Sequence, residues 1–428
     1  MNILMMTNTF TPHVGGVARS IDAFSQTFRQ RNHRVLTVAP TFEDMPGDEK
    51  DVIRVAAIQN FNGSDFSVAL PIPHFLSHEV ETFQPAIIHT HHPFLVGGIA
   101  LRLAHQFKTP LIFTHHTLYE QYTHYVPGDS AAMKRFVISL STHYANLCDA
   151  VIAPSESLRD LIVSRGVTTP VHVIPTGVNP ACFKRERNHS LRDTLGIPQS
   201  ALLIGHVGRL AKEKNLYFMA SIVKDYLLQN TQAHFLLVGS GPMEVVLHDY
   251  FSDHKLDGRI HFSGVLSAEA LTAAYSTMDV FIFTSKSETQ GMVLTEAMAT
   301  GTPIIGLDAP GAREVIQDGK NGRLIKTESH ADFISALNWF TQRTEKEHLA
   351  LRACALTTAE TFSLPRTADK ALALYGALSG SGFTLNEAGY DTWHSMLGLI
   401  KAEWELIKGY AEAAVDAFST ESHDHTIR

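Results

Sequence analysis

The sequence has few cysteines, no long apolar run and no excess of positive charge. Its three cysteines among 428 residues, Cys148, Cys182 and Cys354, are too scattered for a disulfide framework or a cysteine-based metal site. No apolar stretch reaches the roughly 20 residues that span a bilayer, and the N-terminus lacks the basic region and apolar core of a signal peptide. We therefore expect a protein of the reducing cytoplasm.

The charge balance argues against nucleic acid as a partner. Lys and Arg number 35 against 43 Asp and Glu, which gives a net charge of −8 at pH 7 and a pI near 6.3. Residues 1–175 contain 12 Lys or Arg against 14 Asp or Glu, so any peripheral membrane contact is expected to be weak. Hydrophobic residues at 44% and a length of 428 residues suit two globular α/β domains.

The most informative stretch runs from residue 279 to residue 306. An apolar run, 279–284, is followed by the polar loop 285–291 and by a helix-forming run, 293–299. A short β-branched run then completes a unit of strand, loop, helix and strand. Open α/β sheets bind ligands at the carboxyl ends of their parallel strands, so the loop and the helix start are expected to face a ligand.

Two carboxylates, Glu288 and Glu296, flank the junction between this loop and the helix. The two residues are eight positions apart, and a helix turns by about 100° per residue, so their side chains would differ in direction by only about 80° on one helical face. Both are therefore predicted to reach one elongated ligand. The helix start at 290–293 offers N–H groups and a positive dipole end to an anion. A nucleoside-diphosphate sugar, with hydroxyls at both ends and phosphate between them, has that form.

A structural explanation of the two carboxylates stays open. Glutamates near a helix start favour the helix dipole and cap its free N–H groups, and Glu288 fits that role. Glu296 fits it less well, because it lies among apolar residues where an unpaired carboxylate is costly.

The same stretch carries a family resemblance. SETQGMVLTEAMATGTPII resembles the two-glutamate motif of family 4 retaining glycosyltransferases, and ETQG is similar to the diacylglycerol glucosyltransferases of that family. Further matches extend the resemblance from about residue 1 to residue 378. It implies an α/β GT-B fold, in which two Rossmann-like doubly wound domains face each other across a cleft and the second domain holds the donor nucleotide.

Three other segments match the donor side of the family. Gly15 and Gly16 follow the first predicted strand, where they cradle phosphate or merely permit a tight turn. VGRLAKEKN is similar to the diphosphate-binding loop, with Arg209 and Lys214 as its cations, and IHFSGV resembles the loop that meets the nucleobase. The residues implied to bind the donor are Gly15, Gly16, Arg209, Lys214, Val265, Glu288, Gln290, Gly291, Met292, Val293 and Glu296.

Residues 110–127, PLIFTHHTLYEQYTHYVP, form the second informative stretch. An apolar strand delivers two histidines to its carboxyl end, and the structural alternative is a loop whose histidines cap and whose aromatics pack. The segment resembles HTLYEDYTHY of diacylglycerol glucosyltransferases, with Gln121 in place of the usual aspartate. The resemblance implies that His116 lies beside the transferred sugar and that five residues face the acceptor: Tyr119, Glu120, Tyr122, His124 and Tyr125.

Neither a metal nor a cofactor is expected. His89, His91 and His92 lie close in sequence, but adjacent histidines on a strand point to opposite faces, which disfavours a zinc site. The segment FLLVGSGP departs from a dinucleotide fingerprint, because Pro242 intervenes and Glu244 stands where a glycine is required.

The domain organisation follows from these segments. We predict an acceptor-side domain at 1–183, a linker at 184–200 and a nucleotide-sugar domain at 201–378, whose final helices cross back to the first domain. A flexible joint at 379–382 precedes an extra helix at 386–418 with an apolar stripe that must be covered. Residues 381–428 contain three Lys or Arg against eight Asp or Glu, which disfavours an anionic bilayer as the cover, so a homodimer contact is favoured over packing on its own domains.

The resemblance implies a hexosyltransferase that uses a nucleotide-diphosphate sugar as substrate, with UDP-glucose as the expected donor. The hydroxyl acceptor is diacylglycerol, in glycolipid synthesis, or a soluble sugar, polyol or glycan. A nucleotide-sugar epimerase and a non-catalytic partner subunit are the alternatives of other classes.

The implied mechanism rests on the charge of the leaving group. Breaking the anomeric bond places charge on the diphosphate, so Arg209, Lys214 and the helix start at 290–293 favour the transition state. Glu288 and His116 orient the sugar. No carboxylate pair suited to a double displacement emerges, and the family implies attack on the same face, with the leaving phosphate assisting deprotonation of the acceptor.

Overall fold

A computed structural model describes residues 1–12, 15–42, 45–47, 49–58, 68–69, 74–121, 123, 130–183 and 189–381. Two separate parallel β-sheets, of seven and six strands, form the frame of the described chain. Helices cover both sheets, which explains why their strands read in the sequence as continuous apolar runs rather than as alternating ones. The predicted pair of Rossmann-like α/β domains is confirmed.

The first sheet has the strand order β3-β2-β1-β6-β7-β8-β9, and each neighbouring pair in it is parallel. A two-stranded antiparallel pair, β4 with β5, lies outside it. The strands are β1 (Asn2–Met6), β2 (Arg34–Pro40), β3 (Val52–Val55), β4 (Ala57–Ile58), β5 (Val68–Ala69), β6 (Ile87–Thr90), β7 (Leu111–Thr114), β8 (Ala150–Ala153) and β9 (Val171–Val173). The helices between them are α1 (Gly16–Gln30), α2 (His74–Phe83), α3 (Val96–Phe107), α4 (Ala131–Ala145) and α5 (Glu156–Ser164).

The second sheet has the order β12-β11-β10-β13-β14-β15, again all parallel. Its strands are β10 (Leu202–Val207), β11 (Ala233–Val238), β12 (Ile260–Gly264), β13 (Val280–Phe283), β14 (Ile304–Leu307) and β15 (Gly322–Ile325). The remaining helices are α6 (Pro180–Phe183), α7 (His189–Thr194), α8 (Leu216–Gln229), α9 (Glu244–Asp253), α10 (Ala268–Thr277), α11 (Met292–Ala299), α12 (Ala312–Val315), α13 (His330–Thr341), α14 (Glu345–Thr361) and α15 (Leu364–Ser381).

Residues 189–200, within the predicted linker, pack on the second sheet. Arg192 of α7 is only 2% exposed, and its guanidinium donates to the carbonyl of Ala201 at 2.8 Å and to the carboxylate of Asp279 at 2.7 Å. These buried partners satisfy the charge, which is why a polar, basic stretch lies inside the fold.

The chain returns to the first domain through α15. Leu364 donates its N–H to the carbonyl of Val178 at 2.7 Å, and Gly177 beside it has no room for a side chain, because a Cβ there would lie 2.2 Å from Cα of Leu364. Ala368 and Tyr375 then pack in the core beneath the first sheet. The helix joins the end of the second domain to the core of the first.

Helix α15 corrects one prediction. It continues to Ser381, through most of the stretch 379–382 that the sequence predicts as a flexible joint. Leu378 still packs against the first-domain core, and serine and glycine cost little at the end of a helix. The helix predicted at 386–418 lies outside the described residues, and none of the described helices is long and apolar enough to cross a membrane.

The predicted homodimer contact through residues 386–418 can be tested by truncation. We expect the full chain to be dimeric at micromolar concentration and a chain that ends at Ser381 to be monomeric by light scattering. A full chain that is already monomeric contradicts the dimer and favours packing of 386–418 on its own domains.

Candidate active site

The loop between β13 and α11 lies where the sequence predicts it, at the carboxyl end of a parallel strand. Strand β13 ends at Phe283 and helix α11 begins at Met292, with Gly291 in the left-handed region at φ 72° as its N-cap. Strand β14 follows, so the predicted unit of strand, loop, helix and strand is confirmed. Glu288 lies four residues before the helix, however, and the prediction that it shares a helical face with Glu296 is wrong.

Glu288 and Lys214 form an ion pair at the end of the second sheet. Lys214 ends a short 3-10 turn after β10, and its Nζ donates to Oε1 of Glu288. Each side chain is 19% exposed, so solvent screens this pair less than it screens a surface pair. Arg209, the other predicted cation, lies half-buried at the start of the same loop. The structure thus joins one predicted cation directly to one predicted carboxylate.

Glu296 is 3% exposed and has two partners. Arg19 of α1 donates from Nη2 to Oε1, and Tyr275 of α10 donates its hydroxyl to Oε2 at 2.9 Å. These bonds offset the cost of a carboxylate in an apolar helix, which explains how the sequence tolerates it there. Arg19 belongs to the first domain, so this ion pair crosses the cleft.

The side chain of Gln290 joins the loop to the first domain. Its Oε1 accepts from the backbone N–H of Thr176 at 2.7 Å, and its Nε2 donates to the carbonyl of the same residue at 2.6 Å. The amide is buried and its oxygen and its nitrogen each have a partner, so the side chain does not face a donor. The anion contact predicted for the helix start concerns the backbone N–H groups of residues 290–293, and it stays a prediction.

Two further hydrogen bonds hold the loop against the first domain. Thr289 donates its hydroxyl to the carbonyl of His116 at 2.6 Å, and Ser155 donates its hydroxyl to the carbonyl of Thr289 at 2.6 Å. Gly16 at the start of α1 faces Met292, since a Cβ on it would lie 3.9 Å from the methionine sulfur. The predicted glycine loop and the start of α11 therefore meet across the cleft.

Glu314 caps a helix of the opposite domain. Its carboxylate accepts from the backbone N–H groups of Glu156 and Ser157, both at 2.8 Å, at the start of α5. A carboxylate at this position also interacts favourably with the positive end of the helix dipole. Glu314 thus links the two domains beside the loop.

We expect Glu314→Ala to lower the free energy of unfolding by about 0.5–2 kcal/mol, the cost of a lost helix cap. Arg313→Ala is the matched control, because Arg313 pairs with Asp308 within its own domain and is 48% exposed. Denaturant unfolding of both variants measures the difference, and equal stabilities argue against the interdomain cap.

The remaining donor-side residues lie around the same cleft edge of the second domain. Val265 follows β12, is 60% exposed and comes after Gly264 in the left-handed region at φ 64°. Val293 is half-buried and packs against the core that contains Leu294. The contact of this loop with the nucleobase stays a prediction of the resemblance.

The predicted acceptor side is described in part. Tyr119 packs edge-on against Phe94 with ring centroids 5.1 Å apart, and its buried hydroxyl has no hydrogen-bond partner among the described residues. Glu120 accepts from Nη2 of Arg165 at 2.6 Å, so it has a structural partner. Three predicted acceptor residues lie outside the described residues: Tyr122, His124 and Tyr125.

A cluster of five first-domain histidines has lowered pKa values: His89, His91, His92, His115 and His116. Burial is the main cause that lowers the pKa of His89 and His92 to about 3 and that of His115 to about 4. Burial and the neighbouring histidines lower the pKa of His116 well below its ordinary value. No group of three potential metal ligands occurs among the residues that the structure describes. At neutral pH the imidazole of His116 is therefore uncharged.

Sequence reasoning missed several residues that contact the predicted site or join the two domains. Arg19, Tyr275, Thr176 and Glu314 contact predicted site residues or the opposite domain, but each contact joins distant parts of the chain. Only Arg19 had a local signal, since it lies one helical turn after the glycine loop on the helix that the loop begins.

Two family models match the chain. Residues 14–181 match the model described as Glycosyltransferase Family 4, and residues 188–352 match the model described as Glycosyl transferases group 1. Together they cover most of both sheets.

Individual proteins are similar over most of their length. The chain is 31% identical over 337 residues to an alpha-monoglucosyldiacylglycerol synthase of Streptococcus pneumoniae, covering 76% of this chain and 75% of that protein. It is 25% identical over 335 residues to the alpha-monoglucosyldiacylglycerol synthase of Acholeplasma laidlawii, covering 75% and 84%. HepE of Anabaena, crystallised with UDP and glucose, superposes with a TM-score of 0.70 at 20% identity, over 88% of this chain and 100% of that one. This last likeness concerns the fold alone.

Proposed function

Because this chain belongs to family 4 of the retaining glycosyltransferases, which move a hexose from a nucleotide sugar, we propose that it transfers glucose from UDP-glucose to the hydroxyl of diacylglycerol. The observation that carries the choice of acceptor and sugar is the similarity to two alpha-monoglucosyldiacylglycerol synthases over three quarters of the chain. Membership of the family alone supports the broader conclusion that the chain is a hexosyltransferase that uses a nucleotide sugar.

The second domain supports the proposed handling of the diphosphate. Departure of UDP moves negative charge onto the outer phosphate, and groups fixed in advance near that charge stabilise the transition state more than the ground state. Lys214 is held by Glu288, and helix geometry leaves the backbone N–H groups of Met292 and Val293, in the first turn of α11, without intrahelical acceptors. When the donor binds, the positive charge of Lys214 attracts the phosphate while its contact with Glu288 holds the ammonium in place.

The first domain supports the proposed handling of the sugar. His116 is neutral, lies at the carboxyl end of β7 and has its carbonyl bonded to Thr289 of the donor-side loop. A neutral imidazole orients a hydroxyl by hydrogen bonding without adding a charge that competes with the developing positive charge on the sugar. Glu288 precedes Thr289 in the donor-side loop, and we propose that its carboxylate orients the sugar together with His116.

A lipid acceptor requires contact with a membrane surface, and helix α4 supports a weak one. Its N-terminal half exposes Lys134 and Arg135 beside Phe136, which is 40% exposed. Basic residues next to an exposed aromatic ring suit reversible binding at the headgroup level. Because the whole chain is acidic, we propose peripheral and salt-sensitive association rather than stable anchoring.

An acceptor screen with labelled UDP-glucose tests the proposal. Diacylglycerol in mixed micelles is compared with soluble sugars, polyols and glycans at equal concentration, and GDP-mannose replaces UDP-glucose in a parallel series. We expect label in the lipid fraction with UDP-glucose and diacylglycerol. Label that enters only a soluble acceptor, or that requires GDP-mannose, contradicts the proposed acceptor or donor respectively.

A further inference from the structure

A buried histidine lies directly behind His116. His91 is 1% exposed, and its ring meets that of His116 edge to edge, with centroids 5.2 Å apart and planes inclined by 24°. Its Nδ1 lies 2.9 Å from Nε2 of His116, and its Nε2 lies 3.4 Å from Sδ of Met5 on β1. His91 therefore contacts a cleft histidine on one side and a core thioether on the other.

Both imidazole rings are neutral at physiological pH. Burial lowers the pKa of His91 well below its ordinary value, and the nearby histidines lower it further. The pKa of His116 is lowered in the same way. A neutral imidazole has one N–H donor and one acceptor nitrogen, so a single proton lies between the rings, and it belongs either to His91 or to His116.

The sulfur of Met5 decides between these two arrangements. A thioether has no hydrogen to donate and accepts hydrogen bonds weakly, so Nε2 of His91 has a partner only when that nitrogen carries the proton. Nδ1 of His91 is then the acceptor, and Nε2–H of His116 donates to it. The opposite arrangement points the lone pair of His91 Nε2 at a sulfur in the buried core, which leaves an acceptor without a donor.

We propose that His91, held by Met5, is a positioning residue that fixes His116 as the Nε2–H tautomer and leaves Nδ1 of His116 as a hydrogen-bond acceptor. The consequence for substrate rests on the proposed function. If His116 lies beside the transferred glucose, it accepts a hydrogen bond from a sugar hydroxyl instead of donating one. A donor analogue with fluorine in place of that hydroxyl then binds as poorly as the deoxy analogue, because fluorine has no proton to donate.

The tautomer is measured directly on the full chain. Histidine is labelled with ¹⁵N in the ring, and long-range ¹H–¹⁵N spectra separate protonated from unprotonated ring nitrogens. The signals of His116 are identified as those that disappear in the His116→Gln variant. The wild type is expected to show His116 protonated at Nε2 and unprotonated at Nδ1. Signals that show His116 protonated at Nδ1 overturn the proposal.

A matched pair of substitutions tests the role of the sulfur. Met5→Leu removes the acceptor for His91, whereas Met6→Leu is the same change on the neighbouring residue, equally buried but in the core on the other face of the sheet. We expect Met5→Leu to shift His116 toward the Nδ1–H tautomer and to lower kcat/KM about two- to tenfold, the range of one neutral hydrogen bond. Met6→Leu is expected to leave both unchanged.

The outcomes separate this proposal from the proposed function. A Met5→Leu spectrum that keeps the wild-type signals of His116 shows that the sulfur does not set the tautomer, and the proposal fails. If the tautomer behaves as expected but UDP-glucose titration leaves the Nδ1 signal of His116 unmoved, the sugar does not lie at His116. In that case the positioning role stands and the placement of the substrate is wrong.

Discussion

Lys214→Ala is expected to lower kcat about 10²–10³-fold, the usual loss when one preorganised group that stabilises developing negative charge is removed. The ammonium lies at the carboxyl end of the second sheet, is 19% exposed and is held by Glu288, so little reorganisation is needed when the diphosphate gains charge. Because the interaction strengthens in the transition state, kcat is expected to fall more than KM rises. Steady-state kinetics with UDP-glucose measures both.

Lys212→Ala is the control for this substitution. Lys212 lies in the same short turn, but its side chain is exposed to solvent. Its replacement is expected to leave kcat within a factor of two to three. If Lys214→Ala loses thermal stability in proportion to its loss of rate, or if the two variants lose activity equally, the assigned role of Lys214 is wrong.

Glu296→Ala is expected to raise the dissociation constant for UDP about 10- to 100-fold. The proposed role of this carboxylate is to accept hydrogen bonds from the ribose, and charge-assisted bonds contribute about 1.5–3 kcal/mol. Arg19 is the current partner of Oε1, so ribose binding is expected to displace this guanidinium, whose charge can then face the diphosphate. Calorimetric titration with UDP measures the change.

Arg19→Ala separates ribose binding from the interdomain ion pair. The Arg19→Ala variant loses the ion pair with Glu296, but it keeps the carboxylate and the hydrogen bond that Tyr275 donates to it at 2.9 Å. UDP binding to Arg19→Ala is therefore expected to stay within about tenfold of the wild type. Equal losses in the two variants indicate that the ion pair, not the ribose contact, explains the effect of Glu296→Ala.

The fold was predictable because its signals are local. Apolar runs of four to seven residues mark most strands, and glycine and proline mark their ends, so the unit from β13 to β14 is readable without any long-range information. The resemblance then supplied the two-domain GT-B architecture, which is confirmed. The error at Glu288 arose because a helical period was applied to residues that lie in a loop.

The contacts that close the cleft were not predictable in the same way. The pair of Arg19 with Glu296 joins residues 277 positions apart, and the clamp of Gln290 on Thr176 joins residues 114 positions apart. Nothing in the periodicity of either segment encodes its partner. Such bonds depend on how the two domains dock, and helix α15, which packs in the core of the first domain, also joins residues far apart in the chain.

The most direct test of the proposed reaction is a product analysis from one reaction mixture. Purified enzyme, UDP-glucose and diacylglycerol micelles are incubated together, and released UDP is counted against the glucolipid, whose anomeric configuration is read by proton NMR. The proposed function predicts one UDP for each monoglucosyldiacylglycerol, with the α-configuration of the donor retained. UDP released without any glucolipid, or a glucolipid with the β-configuration, contradicts it.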